Sequence, residues 1–67
     1  MAVLIRAESF GWSERVDGTY VPLPFTPLAS EAQVVADVFA RHPEANAVQA
    51  DCGGELVIWE RNHPKSG

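Results

Sequence analysis

The sequence predicts an α+β domain: one helix packed on one face of a mainly antiparallel sheet of about four to five strands. Three observations carry this. Ser30 to His42 has helical apolar spacing, with a capping residue at its start and a His-Pro stop at its end. Val48 to Glu60 alternates around Gly53-Gly54, and Asp17-Gly18 joins two further strand-prone stretches. The implied order is β-β-β-α-β-β in a single domain over residues 1–67, with a frayed polar tail at 62–67.

The first strand runs from Ala2 to Glu8, where Val3, Ile5 and Ala7 alternate with Leu4, Arg6 and Glu8. Gly11, between Phe10 and Trp12, marks a bend or bulge. Asp-Gly between strand-prone residues is a strong short-range hairpin signal, so arms of about Trp12 to Val16 and Thr19 to Leu23 follow. Pro22, Pro24 and Pro27 then remove ladder donors, which makes this stretch a surface crossover with Leu23 and Phe25 pointing inward.

The helix has two candidate starts. Thr26 with Pro27 at the first position is one; Ser30 with Gln33 three residues on is the other. Val34, Val35, Val38 and Phe39 form the apolar stripe, extended by Ala32, Leu28 and His42. Glu31, Gln33, Asp37 and Arg41 take the opposite side, with Asp37 and Arg41 spaced to pair. Pro43 ends the helix.

The last hairpin admits two registers. A two-residue turn at Gly53-Gly54 places Val48, Ala50, Val57 and Trp59 on one side and Gln49, Asp51, Leu56 and Ile58 on the other. A three-residue loop including Cys52 sets Val48, Ala50, Leu56 and Ile58 together and turns Val57 and Trp59 outward. One residue of slip exchanges the faces of a strand. The three-residue loop segregates apolar groups more cleanly and is favoured here, although it sets Asp51 against Glu55. In either register one face carries more apolar surface than a solvated face needs.

Composition limits the function. The chain has 67 residues, 46% hydrophobic and 21% charged, which is the range of a folded domain with little room for a large cleft. Its net charge of −4 is spread over both halves, and it has five basic residues in all. Clustered Lys/Arg for phosphate backbones is missing, so direct nucleic-acid binding is not expected. No apolar run is long enough for a membrane span, and Met1 to Arg6 does not read as a signal peptide. A cytoplasmic protein with reduced Cys52 is expected.

Chemistry-bearing residues are few. Cys52 lies beside Asp51 and Glu55, which oppose a thiolate. His42, His63 and Cys52 share no ligand-type spacing, so neither a metal nor another cofactor is implied. Asp17 is explained as a turn former, and no catalytic residue is assigned. The aromatic residues carry the remaining signal: Trp12, Tyr20, Val57 and Trp59 are the expected partner-binding residues, because Trp and Tyr are enriched at binding hot spots.

Asp17-Gly-Thr-Tyr-Val-Pro-Leu-Pro24 followed by a Glu/Ala-rich helix is similar to the start of HicB-type antitoxin domains. The likeness is confined to this stretch. It lacks that family's glycine-cysteine linker between strand and helix, and no DNA-binding segment accompanies it within these residues. Function is therefore read from the residues themselves. The expectation is a small non-enzymatic protein-binding module, of the regulator or inhibitor kind that phages and mobile elements encode. The alternative is a homo-oligomeric structural subunit that associates through the uncovered sheet face or an edge strand.

Overall fold

The computed structural model describes residues 1–61 and the backbone of 63–66. The strands are β1 (Ala2–Glu8), β2 (Gly11–Val16), β3 (Thr19–Pro22), β4 (Ala47–Cys52), β5 (Glu55–Glu60) and a short β6 (His63–Ser66), with one helix, α1 (Glu31–Arg41), between β3 and β4. The expected β-β-β-α-β-β order is present, and β6 adds to it along β5. Of the tail expected to fray, Asn62 and Gly67 lie outside the described residues, as do the side chains of 63–66.

Strand order across the sheet is β3-β2-β1-β4-β5-β6. Neighbours are antiparallel except β1 and β4, which run parallel, with Val3 beside Val48 and Ile5 beside Ala50. A parallel pair needs a long crossover. Here β2, β3, the proline segment and α1 supply it, and α1 packs against β4.

Alternation on these strands builds one core. Val3 and Ile5 of β1, Trp12 of β2, Val48 and Ala50 of β4 and Val57 of β5 are buried, and Val34, Val35 and Val38 of α1 close over them. Burying those three valines contributes roughly 5–9 kcal/mol before entropy, which is what an eleven-residue helix, marginal alone, requires. Phe39, Leu23 and Phe25 pack partly buried at the margin, the inward direction expected for the latter two.

Ser30 is the cap: its Oγ accepts from the Gln33 N–H at 3.1 Å. Thr26 closes a separate turn, accepting from Leu28 and Ala29. Because the helix begins after Ser30, Leu28 falls outside its stripe and is 94% exposed, and Ala32 faces solvent. Both depart from the sequence expectation.

Trp12 pins the proline segment to the sheet. Its N–H donates to Phe25 O at 3.3 Å, its carbonyl accepts from Leu23 N–H at 2.8 Å, and its indole N–H donates to Ala29 O at 3.3 Å. The segment passes so close that a Cβ on Gly11 would lie 2.2 Å from Phe25 O, and Gly11 also has φ +142. Glycine is required there for both reasons.

The final hairpin takes the two-residue turn, which corrects the favoured three-residue loop. Cys52 pairs with Glu55, Ala50 with Val57 and Val48 with Trp59. Gly53 (φ 65) and Gly54 (φ 92) both supply the positive φ that a tight hairpin turn demands, and Asp51 accepts from the Gly54 N–H at 3.1 Å. Val57 and Trp59 therefore point to the helix side, and Leu56 and Ile58 to the other.

Candidate functional site

Three features combine chemistry or exposed surface. The first is a buried carboxylate. Glu14 shares the helix-side face of β2 with Trp12 and is 4% exposed. Arg41 Nη2 donates to one of its oxygens at 2.7 Å, and His42 Nε2 meets the other at 2.8 Å. Arg41 Nε also donates to Asp37 at 2.8 Å, and His42 Nδ1 lies 3.2 Å from Glu44. Partial burial works against the Arg41 charge, but the hydrogen bonds and charges of Asp37 and Glu14 outweigh it and raise its pKa above the usual arginine value. Glu44 is held below the usual carboxylate range, first by its own backbone N–H and then by His42.

This network fastens the C-terminal end of α1 to β2. Glu14 and His42 also line an open hollow of about 460 Å³, together with Val3, Val16 and Asp17. Both ring nitrogens of His42 and both oxygens of Glu14 are engaged within this network. Arg61 secures the same helix end, donating to Ala45 O at 2.7 Å and His42 O at 2.9 Å, with its guanidinium 4.5 Å from the Phe39 ring centroid.

The second feature joins α1 to the final hairpin. Glu31, in the first turn of α1, accepts from the Cys52 thiol at 3.1 Å and from the Trp59 indole N–H. Burial raises the Cys52 pKa from 9.0 to about 11, assisted by the bond to Glu31 and by the charges of Glu31, Asp51 and Glu55. The thiol stays protonated and is a poor nucleophile at neutral pH. Among the described residues, no group of three His, Cys, Asp or Glu side chains could hold a metal ion.

The third feature is the sheet face away from α1. Register places Leu4, Arg6 and Glu8 of β1, Arg15 of β2, Tyr20 of β3, Gln49 and Asp51 of β4, and Leu56, Ile58 and Glu60 of β5 on it. Leu56 is 56% exposed and Ile58 37%. The Arg6 guanidinium lies 3.9 Å from the Tyr20 ring centroid, and its Nε is 3.8 Å from Asp51. Arg6 is thus held between an aromatic face and a carboxylate.

The four expected contact residues separate on this geometry. Tyr20 stands half-buried on the open face beneath Arg6. Trp12 (5% exposed) and Val57 are in the core, and Trp59 is half-buried on the helix side. Trp12 and Val57 have packing roles, and the exposed apolar positions of the open face are Leu56 and Ile58, while Phe10, Val16, Val21 and Leu28 are exposed elsewhere. Sequence reasoning also missed Glu14. The available signal was its two-residue spacing from Trp12, which sets both on one face of β2.

Comparison with known protein families, curated proteins and solved structures returns no match to this chain. Among the described residues, no helix is long and apolar enough to cross a membrane.

Proposed function

We propose that this chain is a non-enzymatic protein-binding module that works through its uncovered sheet face. The observation that carries the reading is the exposure of Leu56 and Ile58, neighbours along β5 on the face opposite the one that α1 covers. Apolar residues grouped on a surface and rimmed by charge are characteristic of interaction sites. The protonated Cys52, a poor nucleophile at neutral pH, favours a binding role over thiol-based catalysis. The occupant is either another protein, as for a small regulator or inhibitor, or a second copy of the chain.

Site-specific photocrosslinking tests this. A benzophenone side chain at Ile58 should give protein adducts in producing cells, and the same group at Ala36, exposed on the far side of α1, should give none. Equal adducts from both positions, or none from position 58, would overturn the reading.

A further inference from the structure

We infer that the occupant of the open face is a second copy of this chain, stacked sheet to sheet about a two-fold axis parallel to the strands. The inference rests on the binding role proposed above and adds the partner's identity. It follows from how charge is laid out across the sheet. The β1–β2 half displays Arg6 and Arg15, the β4–β5 half displays Asp51 and Glu60, and Leu4, Leu56 and Ile58 stand between and beside them. Glu8 lies at the end of β1, away from this centre.

A two-fold axis along the β1/β4 boundary sets β1 of one copy over β4 of the other, and β2 over β5. Arg6 and Asp51 are paired across that boundary in register. Stacking two copies this way places each Arg6 over the partner's Asp51, giving four charges of alternating sign. Arg15 comes over the partner's Ile58, with the partner's Glu60 two residues along the same strand. An axis perpendicular to the strands through the Arg6–Asp51 row would instead lay β1 on β1 and bring Arg6 against Arg6. Electrostatics thus selects the first arrangement.

The contact surface already has defined geometry, since Tyr20 and Asp51 hold the Arg6 guanidinium in place. Its size sets the strength. Five strands about 4.8 Å apart and about five residues long give roughly 400 Å² of flat face per copy. Two such faces together bury on the order of 800 Å², below the size of most specific interfaces, so the dimer is weak, reversible and concentration-dependent.

Sedimentation equilibrium on purified protein over a hundredfold concentration range tests this. Wild type should form dimers, and 0.5 M NaCl should weaken them several-fold. Arg6→Asp and Asp51→Arg should each be monomeric alone, with dimerisation weakened at least tenfold. Mixed in equal amounts, they should form a heterodimer, because each new charge then faces its opposite across the axis. Circular dichroism confirms that each variant is folded, and Ile58→Lys, which sets a positive charge against the partner's Arg15 at an exposed position, should also be monomeric.

A strictly monomeric wild type, a dimer indifferent to Ile58→Lys or to the charge variants, or a mixture that stays monomeric would each overturn the inference. A monomeric wild type whose position-58 crosslinks capture a different protein overturns the second copy while the binding role stands. The absence of any adduct from that position removes the binding role itself.

Discussion

Replacing Glu14 with Gln tests whether the helix end is fastened by a charged network or by packing alone. The substitution preserves shape but removes the charge that Arg41 and His42 both address. Breaking a fully buried ion pair costs about 3–5 kcal/mol. The Arg41 side chain is 41% exposed and that of His42 25%, so each can turn toward water. The expected loss is accordingly about 2 kcal/mol. In a small domain with total stability of about 5 kcal/mol, that is a drop in Tm of about 8–16 °C. Urea unfolding followed by tryptophan fluorescence measures it, with a midpoint shift of about 2 M. Asp37→Asn is the internal control. It removes the other carboxylate on the same guanidinium, an i,i+4 surface pair worth about 0.3–0.5 kcal/mol. Equal losses for the two variants, or a loss below about 0.5 kcal/mol for Glu14→Gln, would refute the argument that burial sets the difference.

Gly11→Ala should destabilise by about 2 kcal/mol or more, because its Cβ meets Phe25 O and its φ is positive; thermal unfolding reads this directly. Ser30→Ala should cost about 1 kcal/mol by loss of the helix cap, and Thr26→Ala clearly less, since Thr26 closes only a turn. Cys52 should react with iodoacetamide at pH 8 about tenfold more slowly than an unperturbed thiol, its rate rising up to about pH 11, and Glu31→Gln should accelerate it. The same shift implies that stability falls as pH rises from 9.0 toward 11. Over that interval the unfolded chain releases the thiol proton first, whereas below it both states keep the proton.

Elements with a local signal were legible in the sequence. The spacing of Val34, Val35 and Val38 defines the helix and its buried stripe, and Asp17-Gly18 and Gly53-Gly54 mark both hairpins. The parallel β1–β4 pairing was not legible, because it joins strands separated by most of the chain and depends on how the crossover returns. Leu28 was misplaced for a related reason. Its apolar character suits a helix beginning at Thr26, but the cap at Ser30 leaves it on a turn in solvent. Glu14 was hidden because a buried carboxylate looks like an exposed one until its partners arrive from another element. Arg41 and His42 reach it from the end of a helix that starts well after β2.

The register of the last hairpin shows how such distant partners decide a local question. Counting apolar residues favoured the three-residue loop, since Leu56 and Ile58 then share a face with Val48 and Ala50. That count omits the polar end of the tryptophan. An indole N–H taken toward the core needs an acceptor, and leaving it without one costs about 1–3 kcal/mol. Glu31 provides the acceptor, placed beside the hairpin by the capped start of α1, and takes the Cys52 thiol on its other oxygen. With Trp59 satisfied there, its large ring covers more apolar area than Ile58 would, and two consecutive glycines permit the tight turn. Leu56 and Ile58 are outside as a consequence. The same carboxylate that draws Trp59 inward thus leaves the apolar positions of the opposite face exposed.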